Sequence, residues 1–292
     1  MNNTNLIRRT LLCLSIIAAS NSWAASSSYQ SEVGLNYIDR DNSETYFVSG
    51  EYFFAPVLTE AHPLAEANFF SRSASISGFI GSTDNNTGSF NFDTDAINIL
   101  YSYAKKASSL TFGIGYTQTD STITGGGISG NAGDDQYTFN IGYYLTSNSH
   151  LKFIYLTTDG TFSHPDISNT TSESTAYSLQ YKNIFEFSDN TALGITGLIS
   201  SAESSTDVTA EIDGTRYDII ADYYFNRGFN LSGRLASISS NAPNFDGTEF
   251  GLDVGYFVTE SFHVIGSYSE FDSTAGGSSD TDTFAIKANY RF

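Results

Sequence analysis

The chain has 292 residues with 13 Lys and Arg against 32 Asp and Glu, a formal net charge of −19. So acidic a chain is a poor partner for nucleic acid, because phosphate contacts need Lys and Arg. Charged residues are only 15% of the chain while Tyr and Phe number 19 and 23; a water-facing surface normally carries about 25–35% charge, so much of this surface is predicted to face lipid.

Residues 1–24 read as a secretory signal. Arg8 and Arg9 form the charged region, "TLLCLSIIAAS" (10–20) the apolar region, and Ser22-Trp23-Ala24 predicts cleavage after Ala24. Leu12 before Cys13 argues against lipidation. Cleavage removes the one Cys and leaves 11 basic and 32 acidic residues, a net charge of −21. No later stretch reaches the roughly 18 apolar residues of a membrane helix.

From Tyr29 onward the pattern has period two, the mark of strands. Val33, Leu35 and Tyr37 open it. Tyr46–Phe54, Ala74–Ile80, Ile97–Tyr103, Leu110–Tyr116 and Tyr137–Tyr143 follow. After "TSNSH" come Leu151, Phe153 and Tyr155, then Tyr177–Tyr181, Leu193–Ile199, Tyr217–Phe225, Leu231–Leu235, Phe250–Tyr256, Phe262–Tyr268 and Phe284–Phe292. This predicts an all-β fold, a transmembrane antiparallel up-and-down barrel of about 14 strands, with 12 or 16 as neighbouring counts, over residues 25–292. A secreted β-sandwich or β-helix also alternates. Neither needs aromatics before every second turn, nor the C-terminal "FAIKANYRF".

The connections alternate between short turns ("AKKASS", "TSNSH", "SDNTA", "NRGFN", "TES") and longer acidic loops rich in Gly, Ser and Asn, such as 82–89, 124–135, 163–174, 241–247 and 273–282. "APVLTEAHPL" is the long exception among the turns. Short turns are periplasmic and long loops extracellular in such barrels, and an even strand count puts both termini on the periplasmic side. Tyr143, Tyr223 and Tyr256, just before short turns, are the expected aromatic girdle at the membrane–water interface. Phe284, Ile286, Ala288, Tyr290 and Phe292 form the expected assembly signal.

The segment "RYDIIADYYFNRGFNLSGRL" fixes a register if Arg227-Gly228-Phe229 is a three-residue turn: Phe225 then faces Leu231, Ala221 faces Leu235, and Asp222 meets Arg234 on the inner face. A second inner pair, Glu32–Lys287, is expected across the barrel seam. The charged residues of inward parity, the candidate pore lining, are Glu32, Glu51, Lys152, Lys182, Asp218, Asp222, Arg234, Asp253 and Lys287. Phe47, Phe53, Leu100, Tyr144, Ile154, Leu156, Ile220 and Tyr224 share that parity, so the lumen is not uniformly polar. The acidic loops 124–135 and 163–174 are the expected candidates to occlude it.

The opening "SYQSEVGLNYIDRD" and "SGEYFFAPVLTEAHPLAEANFFSRSASIS" resemble the general bacterial porins of marine gamma-proteobacteria. The likeness rests on Phe53-Phe54-Ala55-Pro56-Val57, on Pro63-Leu64-Ala65-Glu66-Ala67 and on Arg72-Ser73. It is specific over residues 29–78 and one of pattern beyond. It implies passive diffusion of small hydrophilic solutes and brings no catalytic residue and no cofactor. The Pro-Glu-Phe-Gly-Gly constriction motif of trimeric porins is missing.

Taken together, these features predict an outer-membrane porin with mild cation selectivity. Its expected partners are membrane lipid and lipopolysaccharide, the barrel-assembly machinery, periplasmic chaperones and small solutes. A structural or adhesive barrel with a filled lumen is the first rival. An outer-membrane hydrolase is the second, with His164 and Asp166 as half a site. Asp134-Asp135 and Asp280/Asp282 offer oxygen ligands at loop tips, read as solubilising charge and cation bridging to lipopolysaccharide rather than a metal centre.

Overall fold

The computed structural model describes residues 28–60, 62–126, 128–164, 167–188, 191–207, 209–241, 246–273 and 281–292. The predicted leader, the half-site of His164 with Asp166, and most of the expected 273–282 loop lie outside the described residues or side chains. Fourteen antiparallel strands close into one barrel, each paired with its sequence neighbours and the last with the first. They are β1 (Ser28–Arg40), β2 (Ser43–Leu58), β3 (Ser75–Thr87), β4 (Phe90–Tyr103), β5 (Leu110–Gly125), β6 (Ile128–Tyr144), β7 (Ser149–His164), β8 (Ile167–Ser188), β9 (Thr191–Thr206), β10 (Thr209–Asn226), β11 (Phe229–Ser240), β12 (Gly247–Thr259), β13 (Phe262–Ser273) and β14 (Thr281–Arg291). Closure pairs each strand on both sides along the wall, the condition for a sheet in hydrocarbon, except that β2 beyond Phe53 runs past the start of β3, where residues 71–74 hydrogen-bond to it instead.

Alternation decides which side chains meet lipid. On β8, Tyr177, Leu179, Tyr181, Phe185 and Phe187 are exposed on the outer wall, whereas Ile184 is buried inside. Tyr143 is 52% exposed and its neighbour Tyr144 only 7%; Tyr223 and Tyr224 differ likewise at 39% and 3%. Tyr256 is exposed outside as well. At the seam Val33 pairs with Tyr290, Leu35 with Ala288 and Tyr37 with Ile286, and Phe284 and Ile286 are exposed outside. The terminal Phe292 is tied in by the backbone: its carbonyl accepts from Gln30 (3.0 Å) and Ser31 (2.9 Å), and its N–H donates to Ser31 (3.0 Å).

The lipid-facing belt lies at the end of the barrel that carries both termini. On β8 it runs from Tyr177 to Phe187, close to the roughly 9–11 residues a tilted strand needs to cross a bilayer. The other half of β8, and of β6 and β10, is polar and continues as paired strand. Segments 124–135 and 163–174, expected as long loops, are therefore mostly wall. β5 and β6 stay in register from Leu110↔Tyr143 out to Gly125↔Ile128, and β7 and β8 out to Phe162↔Thr170. Thr, Ser and Gly alternate readily with polar neighbours, so a polar composition does not stop the ladder. The described residues of these segments continue the wall as a collar.

The β10–β11 hairpin departs from its expected register by two residues. Tyr223 pairs with Leu231, Ala221 with Gly233 and Ile219 with Leu235. A bulge between Tyr224 and Asn226 absorbs a residue, and the turn tightens to Arg227-Gly228, with the Gly228 N–H donating to Asn226 Oδ1 at 2.8 Å. Asp222 consequently lies opposite Ser232 and not Arg234.

Candidate functional site: a bridge across the periplasmic mouth

The connection between β2 and β3, residues 59–74, enters the lumen instead of turning at the rim. A single turn of 3₁₀ helix (Leu64–Glu66) leads into a short helix, α1 (Ala67–Ser71), and Arg72 ends it in the left-handed region at φ 49°. That conformation reverses the chain toward β3. Ser73 then secures the exit, its Oγ accepting from Ala55 N–H (3.1 Å) and donating to Ala55 O (2.7 Å).

Two apolar contacts seat this bridge on opposite walls. Near its origin Ala67 packs with Tyr29, Phe53 and Val57, all buried. Seven strands away, Phe69 and Phe70 pack on Ile184 of β8, Ala192 of β9 and Tyr224 of β10. In a ring of fourteen, β8 stands opposite β1, so the segment spans the diameter.

Polar contacts fix it in place. The Glu66 carboxylate, on a buried residue, accepts from Lys182 Nζ at 2.7 Å through both oxygens and from the Tyr224 hydroxyl. Leu64 N–H donates to Arg227 O (2.8 Å), and Leu64 O accepts from Arg291 Nη1 (3.0 Å). Arg227 also donates to Thr59 O. His62 stacks on Phe70 with centroids 3.7 Å apart and meets Glu186 Oε1 at 2.6 Å. Arg72 lies 3.8 Å over the Tyr144 ring and donates to Thr146 O (3.2 Å), while the Tyr144 hydroxyl donates to Phe69 O (3.0 Å).

Above the bridge is a chamber of about 450 Å³ whose floor includes Ala65, Glu66 and Tyr224. Four of the nine charged residues singled out from the sequence line it: Lys182, Asp222, Asp253 and Lys287. Asp222 accepts from the Ser232 hydroxyl. Two more of the nine, Asp218 and Arg234, belong to a four-membered network higher on the wall. Arg234 donates to Asp218 Oδ1 (2.6 Å), and Arg216 donates to both Asp218 Oδ2 (2.8 Å) and Glu249 Oε2 (2.6 Å). Arg234 also lies 3.3 Å from Glu249. The two-residue slip at the hairpin gives Arg234 this partner instead of Asp222.

Glu32 pairs not with Lys287 but with Arg291, at 2.7 Å, because the seam sets Glu32 opposite Arg291 and Lys287 opposite Asn36. Glu51 lies opposite Glu32 on the inner face of β2. Lys152 has inward parity on β7, two positions from His150, which meets Thr111 Oγ1 at 2.9 Å. Sequence reasoning passed over Arg216, Glu249 and Arg291, although each has inward parity, and over Glu66, which alternation could not place.

This architecture is that of an outer-membrane β-barrel, and a family signature runs along residues 6–292 of the sequence. The chain belongs to the "Putative general bacterial porin" family. Among solved structures this porin is similar to the outer membrane protein Omp33 of Acinetobacter baumannii, with 18% identity, 91% of this chain and 99% of that one covered, and a TM-score of 0.56. The toluene transporters TodX of P. putida (11% identity, 92% and 91% covered, TM-score 0.55) and TbuX of Ralstonia pickettii (10%, 91% and 90%, 0.56) share the barrel fold. No curated protein sequence matches the porin.

Proposed function

We propose that this porin is a passive channel for small hydrophilic solutes and ions across the outer membrane, mildly cation-selective and closed at rest by the bridge 59–74. The observation that carries this reading is a charge-lined chamber bounded at one end by a segment held largely through polar contacts. Such contacts exchange with water at modest cost, whereas the wall ladders do not. The acidic collar supports cation preference by raising cation concentration at the outer mouth. On this reading the protein carries no catalytic activity. The first 24 residues direct export, the assembly machinery reads the terminal strand, periplasmic chaperones escort the chain, and lipopolysaccharide surrounds the collar.

The bridge also favours a second reading, a structural barrel that never opens. Planar-bilayer recordings on the intact protein and on a form with residues 60–72 replaced by a short turn separate the two. The channel reading expects rare openings in the first and a continuous, cation-preferring conductance in the second. Silence in both would leave the structural barrel as the better account.

A further inference from the structure

The bridge leaves a notch in the barrel wall. β3 starts at Ser75, opposite Phe53, but β2 runs on to Leu58 and β4 descends to Tyr103. Below Ser75 the third strand is missing, and residues 71–74 return from the lumen through the gap. Outside it lies a groove of about 420 Å³. Phe54, Pro56 and Leu58 line it from β2, and Tyr103, Lys105 and Lys106 from the β4 side, with the returning residues 71–74 between them; Arg72 among these is engaged with the Tyr144 ring and Thr146 O. Phe54 and Leu58 are 57% and 53% exposed at the level of the interfacial girdle.

The two lysines stand out in a chain with so few cations. Arg8 and Arg9 lie outside the described residues, and Arg40 is at the far end of the barrel. Eight of the remaining basic residues face the lumen or hold the bridge. Lys105 and Lys106 are the pair left on the outer surface of the periplasmic rim, both exposed in the β4–β5 turn, where Lys105 O accepts from Ser108 N–H at 2.8 Å. Neither ammonium has an ion-pair partner among the described residues.

We propose that this notch binds an anionic phospholipid of the periplasmic leaflet, with an acyl chain against Phe54, Pro56 and Leu58 and the phosphate head group at Lys105 and Lys106. The match is one of shape and sign. A groove open to hydrocarbon at one end and crowned by two cations at the water boundary complements a molecule with an apolar tail and a negative head. It stands whether or not the lumen conducts.

The test uses the full chain folded in detergent, with folding checked by heat-modifiable migration. Native mass spectrometry compares retention of phosphatidylglycerol and phosphatidylethanolamine with identical acyl chains. Two lysines at the head group predict a preference for phosphatidylglycerol on the order of 10-fold. The double variant K105Q/K106Q should lose it, and Arg40→Gln should keep it. Equal retention of both lipids by the parent protein, an unchanged preference in the double variant, or its loss in Arg40→Gln would overturn the site. A second measurement needs no variant. Acetylation of Lys105 and Lys106 in vesicles should slow when phosphatidylglycerol is present and stay fast in pure phosphatidylethanolamine; equal rates in the two would also sink the proposal.

Discussion

Replacing Glu66 by Gln tests the proposed closure at a buried polar contact. In the closed state both carboxylate oxygens lie 2.7 Å from Lys182 Nζ, and the Tyr224 hydroxyl donates to the same group. The glutamine is nearly isosteric, so the packing of Ala67 and Phe69 is preserved, while the charge is lost and one of the two acceptor oxygens facing Lys182 becomes an amide donor. Breaking a fully buried pair costs about 3–5 kcal/mol, but Lys182 remains a quarter exposed to the chamber and can be rehydrated. The appropriate scale is therefore that of a charged hydrogen bond, about 1.5–3 kcal/mol. That loss falls on the closed state alone, because in the open state both groups meet water in either protein. At about 1.4 kcal/mol per decade, the open population rises roughly 10- to 100-fold. Open probability in planar bilayers reads this directly, and Lys182→Gln should produce a similar rise. An open probability equal to that of the parent protein in both variants, with folding intact, would show that this pair does not hold the bridge closed.

Other perturbations follow from the same geometry. In a form lacking the bridge, Arg234→Ala should shift the reversal potential in a salt gradient toward cations and Asp218→Asn toward anions, because the four-membered network is net neutral; identical potentials would place it outside the ion path. Tyr143→Asp and Tyr256→Asp should lower the yield of inserted barrel by destabilising the lipid face near the interface by about 1 kcal/mol. Tyr144→Phe should insert normally and raise open probability, since its hydroxyl holds Phe69 O; reversed phenotypes would contradict the assigned faces. Deleting Phe292 should leave protein in the periplasm and little heat-modifiable barrel in the outer membrane, and normal membrane levels would argue against its role in assembly. Amino-terminal sequencing of the extracted protein should begin at Ala25.

The strand count and the opposite faces of neighbours such as Tyr143 and Tyr144 were legible because period two recurs in every strand and any odd slip would turn a strand inside out. Even slips escape that check. The β10–β11 register differs from expectation by two and the partner of Glu32 by four, and both leave every residue on its predicted face. The tighter turn and the bulge near Phe225, which together cause the first, have no mark in the alternation. The bridge was illegible for another reason: it is an irregular segment whose buried polar anchors, Lys182, Tyr224 and Arg291, lie more than a hundred residues away. Its trace in the sequence was indirect. Phe53, Tyr144 and Tyr224 are large inward-facing aromatics at one end of a lumen, and something had to cover them.

Arg291, the penultimate residue, joins the two ends of the chain's history. It pairs with Glu32 across the seam and also donates to the carbonyl of Leu64, 227 residues earlier. The bridge is synthesised early, but this clasp exists only once the final strand has docked on the first. The contacts of the bridge with β6 and with β8 to β10 need no such closure, so among the described residues Arg291 adds to the bridge the one anchor that depends on the two ends of the sheet having met.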